Sequence, residues 1–266
     1  MDLKLNNKNV FISGSSKGIG FAIAERFISE GANVFLNGRN QNSLDKALKK
    51  LILKEYTGKV QGICSDLSTE VGINIVKEKL DEIKIDILIN NVGQYYPKSF
   101  NQTTDDDWRD LIETNVMSGI KLSKHFLPIM QNQNWGRVIF ISSESGIQVP
   151  ENLIHYGFTK AGILAISRGL AEGVSGNNIT VNSVLPGVTL TEGAQDFIKK
   201  LARQRNKSYE IVKEEFFKID RPSSIIKRFI KPSEIADVVV FLCSPLASAI
   251  SGSSIRVDGG NVKSIY

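Results

Sequence analysis

Short apolar runs rich in β-branched residues alternate along this chain with longer stretches whose apolar residues recur at helical spacing. Strands that are apolar throughout and separated by helices are typical of a parallel sheet that helices cover on both faces. We therefore predict an α/β fold, doubly wound, with about seven parallel strands. The predicted strands are residues 9–13, 33–37, 60–64, 85–90, 137–142, 179–185 and 254–258.

The composition is that of one globular domain over residues 1–266. Hydrophobic residues make up 41% of the chain and charged residues 23%, which supplies a core and argues against disorder. Two cysteines and two histidines are too few and too dispersed for a disulfide framework or a zinc centre. Without a signal peptide, a membrane-spanning run or a strand platform of basic and aromatic residues, we expect a cytoplasmic protein that binds no metal, membrane or nucleic acid.

Glycines follow the first predicted strand, in the stretch Ser-Gly-Ser-Ser-Lys-Gly-Ile-Gly at residues 13–20. A glycine turn between a strand and a helix lets the backbone approach a pyrophosphate, which then lies at the positive end of the helix. Glycines alone are equally typical of a loose surface turn. The flanking strand and helix favour a dinucleotide site here.

The end of the second predicted strand is where a dinucleotide-binding fold selects the adenosine ribose. A carboxylate at this point accepts a hydrogen bond from the 2′-hydroxyl and repels a 2′-phosphate. This chain has Gly38 and Arg39 instead, and Lys17 of the glycine turn can approach the same place. Two cations favour NADP(H) over NAD(H), although Arg39 could equally be a solvated loop charge.

A candidate proton-transfer pair lies in the second half of the chain. Tyr156 and Lys160 are four residues apart on a predicted helix, so they share one face of it. An ammonium group lowers the pKa of a nearby phenol, which suits tyrosine to proton transfer. Ser143 follows the fifth strand, at the sheet edge where a hydroxyl can bind a substrate oxygen. Singly, each residue also fits a chance motif or a polar strand end.

Together these motifs resemble the short-chain dehydrogenase/reductase family along nearly the whole chain. Ser13 and Val92 depart from that pattern, standing where the family usually has threonine and alanine. The resemblance implies a single Rossmann-type doubly wound domain that assembles into a homotetramer or dimer. It rests on the glycine turn and, in order, on Asp66-Leu67, Asn90-Asn91-Val92-Gly93, Asn115, Ser143, Tyr156, Lys160, Pro186-Gly187 and Val257-Asp258-Gly259-Gly260.

The resemblance also implies a role for each matching residue. Tyr156 would transfer the proton and Ser143 would polarise the substrate oxygen, so both would bind substrate. Lys160 would lower the pKa of Tyr156 and bind the nicotinamide ribose. Asn115 would hold a water of a proton relay. The remaining cofactor-binding residues would be Gly14, Ser16, Lys17, Gly18, Ile19, Gly20 and Arg39, with Asp66 and Leu67 at the adenine, Asn91 and Gly93 at the adenosine ribose, and Thr189 and Thr191 at the carboxamide or pyrophosphate.

Residues 190–230 occupy the position of the family's substrate lid. Between residues 199 and 231 there are eleven basic and four acidic residues, whereas the whole chain has a net charge of only +5. This charge would attract an anionic substrate, although a solvated helical face explains it equally well. Apolar side chains of the segment could face the substrate: Phe197, Leu201, Ile211, Phe216, Phe217 and Phe229.

Three smaller expectations concern single residues. His155 is expected at a loop or at the rim of the site, His125 on a helix surface, and Ser43 as the cap of the second helix.

The leading functional hypothesis is an NADP(H)-dependent oxidoreductase that transfers a hydride between nicotinamide and a small carbonyl or secondary alcohol. A 3-oxoacyl-(acyl-carrier-protein) reductase is the second hypothesis, and it is disfavoured because residues 131–134 are neutral where an acidic carrier would need basic residues. A catalytically silent NADP-binding sensor is the third, and the complete tetrad argues against it.

Overall fold

The computed structural model describes residues 1–265, which form a parallel sheet of seven strands in the order β3-β2-β1-β4-β5-β6-β7. The strand order reverses between β1 and β4, which opens a crevice at the carboxyl ends of the strands. The predicted doubly wound α/β fold is confirmed. The strands are β1 Asn9–Ile12, β2 Asn33–Gly38, β3 Val60–Cys64, β4 Ile87–Asn90, β5 Gly136–Ile141, β6 Ile179–Pro186 and β7 Ser254–Val257.

Helices connect the strands on both sides of the sheet. They are α1 Gly18–Ser29, α2 Gln41–Ile52, α3 Glu70–Leu80, α4 Asp105–Ile112, α5 Ser118–Asn132, α6 Ile154–Gly173, α7 Glu192–Gln204, α8 Tyr209–Ile219 and α9 Pro232–Cys243. A π-helical turn, Glu113–Met117, joins α4 to α5. No helix within residues 1–265 has both the length and the apolar character to cross a bilayer.

The two faces of the sheet bury two separate apolar layers. In β1, Val10 and Ile12 belong to the layer under α1, α2 and α9, whereas Phe11 belongs to the layer under α3, α5 and α6. This alternation is what a sheet covered on both faces requires. The two edge strands are the exceptions, because Gln61 and Gly62 of β3 and Ser254 of β7 are exposed.

The cap of α2 lies earlier than predicted. The side chain of Asn40 accepts a hydrogen bond from the Ser43 amide at 3.0 Å, so Asn40 is the cap and the prediction of Ser43 was wrong. Asparagine is among the strongest capping residues and satisfies a first-turn amide by this contact. The second helix therefore begins at Gln41, two residues after Arg39.

The segment 190–230 contains α7 and α8 and has a small core of its own. Phe216 stacks on Phe229 with ring centroids 5.0 Å apart, and Phe217 packs edge-on against Phe229 at 4.9 Å. All three rings are buried with Ile198 and Val212. The expectation that these three phenylalanines face the substrate was therefore wrong, because the two helices need them to pack against each other. Phe197 and Ile211 stay partly exposed.

Candidate active site

The glycine turn is held in shape by close contacts with the end of β4. Gly14 and Gly18 have φ angles of +60° and +61°, a region that side chains disfavour. A Cβ atom at Gly20 would lie 2.5 Å from Nδ2 of Asn91 and 2.6 Å from the Gly14 carbonyl oxygen. That same Nδ2 donates hydrogen bonds to the carbonyl oxygens of Ser13 and Gly14. The turn is thus closed around Asn91 and leaves no room for a side chain.

Asn37, at the end of β2, fixes this turn from the other side and was not among the predicted site residues. Its Oδ1 accepts from the Gly14 amide at 3.1 Å, and its Nδ2 donates to Oγ of Ser65 at 2.9 Å. The side chain is buried and satisfied at both ends. Asn37 therefore links the glycine turn to the loop that precedes Asp66. A polar residue inside an apolar strand was the available signal.

The predicted 2′-phosphate residues lie on two segments that touch each other. Gly38 lies against Ser16, since an added Cβ would be 3.1 Å from the Ser16 side chain. The neighbours of these two residues, Lys17 and Arg39, are both exposed. The first turn of α2 lies at the same corner. Asn40 caps its Ser43 amide, and the other first-turn amides have no partner within the helix. This corner carries positive charge from side chains and from a helix end.

The other predicted cofactor residues take up varied positions. Thr191 caps α7, and its methyl group would contact a Cβ at Gly18 at 3.4 Å, so it lies over the glycine turn. Thr189 instead donates its hydroxyl to the Gly187 carbonyl at 2.9 Å. Asp66 accepts hydrogen bonds from the amide and hydroxyl of Ser68. The predicted ligand contacts of these residues stay predictions.

Lys160 and Tyr156 lie together at the carboxyl edge of the sheet. The Nζ atom of Lys160 donates to the Ile141 carbonyl at 2.9 Å and lies 5.7 Å from the centroid of the Tyr156 ring. Burial lowers the pKa of Lys160 to about 8. Burial also raises the pKa of Tyr156 to about 12, while the neighbouring Ser143 acts in the opposite direction. The effect that lowers the pKa of Tyr156 thus comes from Ser143, whereas we predicted that it would come from Lys160.

Ser143 is placed by a short turn at the end of β5. It caps the 3₁₀ turn Glu144–Gly146, and its Oγ accepts from the Ser145 amide at 3.1 Å. The preceding hydroxyl, Ser142, donates to the Lys160 carbonyl at 2.8 Å. This second bond ties β5 to α6, so the serine and the tyrosine are held on directly connected elements.

Asn115 lies in the π-helical turn and is buried. Its Nδ2 donates to the Gln94 carbonyl and to Oγ1 of Thr159, both at 3.0 Å, and its Oδ1 accepts from the Gln94 amide at 2.8 Å. π-Turns occur frequently at functional sites. An added Cβ at Gly93 would lie 3.1 Å from Nζ of Lys160 and 3.7 Å from Oδ1 of Asn115. Gly93 therefore keeps open the space between these two predicted catalytic residues.

An aromatic layer packs behind Tyr156. His155 is fully buried within α6, with its ring 5.2 Å from that of Tyr96 and 6.1 Å from that of Trp108. The loop or rim position predicted for His155 was wrong. Successive helical residues point about 100° apart, which turns His155 toward α4. His125 lies on α5 and is half-buried.

The arrangement matches what a dinucleotide and a small substrate require. A glycine turn lies at the start of α1, a cationic corner lies at the end of β2, and hydroxyl groups meet a buried amine where β5 ends and α6 begins. Such a constellation can bind an anionic cofactor and exchange a proton with a substrate oxygen.

Comparison with known proteins agrees with this geometry. Residues 14–261 match the family described as Enoyl-(Acyl carrier protein) reductase. The chain is 42% identical over 266 residues to the uncharacterized oxidoreductase YvrD of Bacillus subtilis (strain 168), and the match covers 100% of both chains. It is 34% identical over 262 residues to the 3-oxoacyl-(acyl-carrier-protein) reductase FabG of Aquifex aeolicus (strain VF5), covering 98% of this chain and 99% of FabG.

A solved structure agrees over the full length. The crystal structure of L-sorbose reductase from Gluconobacter frateurii, complexed with NADPH and L-sorbose, superposes with a TM-score of 0.94. The two sequences are 32% identical, and the match covers 100% of each chain. With the glycine turn, the seven-stranded sheet and the Ser-Tyr-Lys arrangement in place, the chain belongs to the short-chain dehydrogenase/reductase family of oxidoreductases.

Proposed function

We propose that this protein is an NADP(H)-dependent reductase that interconverts a small carbonyl compound and a secondary alcohol. The observation that carries the proposal is the juxtaposition of Tyr156, the neighbouring Ser143 and the buried amine of Lys160. These groups lie at the carboxyl edge of the sheet, where folds of this type bind ligands. The similarity to an L-sorbose reductase that binds NADPH supports the same class of reaction.

The proposed mechanism assigns the proton to Tyr156. Because its pKa is raised to about 12, the phenol is protonated at neutral pH and can donate its proton to a carbonyl oxygen. Ser143 holds that oxygen by a hydrogen bond and stabilises the negative charge that develops on it. Lys160, whose pKa is about 8, is mostly charged at neutral pH and stabilises the phenolate that remains. A bound nicotinamide supplies the hydride.

The same proposal assigns the binding of NADP(H) to the glycine turn and the cationic corner. The cradle around Gly14, Gly18 and Gly20 admits a pyrophosphate at the start of α1. Lys17 and Arg39 bind the 2′-phosphate, with no carboxylate between residues 37 and 42 to repel it. We also propose that the protein is cytoplasmic and assembles into a homotetramer or dimer.

The charge of the 190–230 segment bears on the nature of the substrate. We take residues 190–230 as a substrate lid. Several of its cations are neutralised within it, since Arg205 pairs with Asp220 and Lys207 with Glu215. The remaining positive charge supports an anionic substrate. The second candidate, a 3-oxoacyl-(acyl-carrier-protein) reductase, is supported by the 34% identity to FabG of Aquifex aeolicus.

The test is NADPH oxidation by the purified protein with a panel of ketohexoses, simple ketones and 3-oxoacyl thioesters. Tyr156→Phe should abolish turnover and still bind NADPH, because only the phenolic proton is removed. The matched control is Tyr96→Phe, which removes a hydroxyl that contacts the Asp107 carbonyl and should remain active. An active Tyr156→Phe variant would refute the proton-donor role. NADPH binding without turnover of any substrate would favour the silent sensor.

A further inference from the structure

Glu144, the residue directly after Ser143, is a carboxylate in a buried position. It is the first residue of the turn that Ser143 caps, and only 6% of its surface is exposed. Buried carboxylates need a partner, because desolvation disfavours their charged form. Burial accordingly raises the pKa of Glu144 to about 7. The mechanism proposed above makes no use of this group.

The cation that meets Glu144 comes from the 190–230 segment. Nε of Arg221 lies 3.7 Å from Oε1 of Glu144. Arg221 follows α8, its guanidinium lies 6.0 Å from the centroid of the Phe216 ring, and it donates to the Asp220 carbonyl. The guanidinium of Arg221 therefore lies between the aromatic core of the segment and the Ser143 turn.

Three further groups surround Glu144. Asn261 favours its charged form and lowers its pKa, whereas Asp258, which follows β7, disfavours that form by like charge. From α6, Tyr156 is close enough for the charge of Glu144 to raise its pKa. The segment is also joined to this region by a hydrogen bond between Ser223 and Asn261 at 2.7 Å. The carboxylate thus lies where β5, α6, the end of β7 and the segment meet.

We propose that the Glu144–Arg221 ion pair holds the 190–230 segment against the turn that carries Ser143, and that Glu144 acts as a positioning residue for the reaction. The inference deepens the proposed function and rests on it. With Glu144 ionised, the segment covers the site and Ser143 keeps its orientation. Protonation of Glu144 removes the attraction to Arg221 and releases the segment.

The pH dependence of the reductive reaction is a sharp test. Reduction consumes a proton that Tyr156 already carries, so the tyrosine predicts a constant rate at acid pH. If Glu144 must be ionised for activity, the rate should instead fall at acid pH. We therefore expect kcat/KM for the carbonyl substrate to fall as the pH drops through about 7, mainly through a higher KM.

Two variants separate the ion pair from a direct effect on Tyr156. Glu144→Gln and Arg221→Gln each remove the pair at every pH, so each should lower kcat/KM at alkaline pH by about tenfold and abolish the acidic decline. The double variant should be no worse than either single one. If Glu144 acted only through Tyr156, Arg221→Gln would keep the decline and shift it to higher pH, because the arginine lowers the pKa of Glu144. That result would overturn the proposal.

The control is Lys207→Gln, which removes one positive charge and one ion pair within the segment. Its pH profile should match that of the unaltered protein. An unchanged acidic decline in Glu144→Gln, or no decline in the unaltered protein, would also refute the role of the ion pair.

A second measurement is independent of turnover. Amide hydrogen exchange of residues 221–230 at about pH 8 should be faster in Glu144→Gln and Arg221→Gln than in the unaltered protein, and unchanged in Lys207→Gln, whose partner Glu215 lies outside these residues. Equal exchange in all four proteins would refute the ion pair even if the protein is an active reductase. Faster exchange together with a lack of reductase activity would refute the proposed function and leave the ion pair supported.

Discussion

Cofactor preference should depend on Lys17 and Arg39, and changing both to glutamine is the most direct perturbation of the proposed site. The two residues flank the contact between Ser16 and Gly38, where an added Cβ would be only 3.1 Å from the serine. Both side chains are exposed, so they are free to meet a ligand and are also screened by salt. We expect the double variant to lose affinity for NADPH and to keep its affinity for NADH.

The size of this effect follows from the exposure of the two cations. Two unit charges about 4 Å apart in water interact by about 1 kcal/mol, and a 2′-phosphate carries nearly two negative charges. Salt at about 0.15 M reduces the sum. About 1.4 kcal/mol remains for each cation, which is about tenfold in affinity. The double variant should therefore bind NADPH about 100-fold more weakly and NADH within about twofold of the original protein.

The assay is a fluorescence titration of NADPH and NADH at low and at high salt. High salt should reduce the difference between the two nucleotides in the unaltered protein and have little effect in the double variant. Lys49→Gln, which removes an exposed cation in the last turn of α2, is the matched control. Equal losses for both nucleotides, or an equal loss of NADPH affinity in Lys49→Gln, would refute the assignment of the 2′-phosphate site.

Two further predictions concern the glycine turn and the buried amine. Gly20→Ala should destabilise the fold by about 1–3 kcal/mol and weaken NADPH binding, because the new Cβ would lie 2.6 Å from the Gly14 carbonyl oxygen. Gly162→Ala is the control and should have neither effect, because a Cβ there would have nothing within 4 Å. Lys160→Met should abolish turnover yet raise the melting temperature at neutral pH. The pKa of Lys160 falls from 10.5 to about 8 on folding, so the charged form costs stability below about pH 8 and that cost disappears toward pH 10.5. A lower melting temperature would contradict this sign.

The fold could be predicted because its signal is periodic and local. Apolar runs mark β1 to β7, and the predicted strand limits agree with the structure within two residues at each end. Exposure was harder to predict, since the exposed residues of β3 and β7 follow from the positions of these strands at the two edges of the sheet. Whether a strand lies at an edge or in the middle of the sheet depends on the topology of the whole chain. The residues of the strand itself do not indicate that position directly.

Some residues of the candidate site could be predicted from local spacing, and others could not. Tyr156 and Lys160 are four positions apart, so helical geometry alone predicts their proximity. The contact between Glu144 and Arg221 joins residues far apart in the chain, and no spacing rule indicates it. Likewise, the role of Asn37 depends on Gly14 and Ser65, which come from two other loops. The roles of residues that act through partners distant in the chain can be identified only from the three-dimensional structure.

The most instructive difference concerns the charge state of the central pair. The Tyr-x-x-x-Lys spacing predicts an acidified phenol, yet the same burial raises the pKa of Tyr156 to about 12 and lowers that of Lys160 to about 8. Burial disfavours the charged form of each group, so the tyrosine keeps its proton at neutral pH. A site that already holds this proton is prepared to reduce a carbonyl, whereas oxidation of an alcohol must first remove it. Ionised Glu144 strengthens that bias, because its negative charge further disfavours the phenolate.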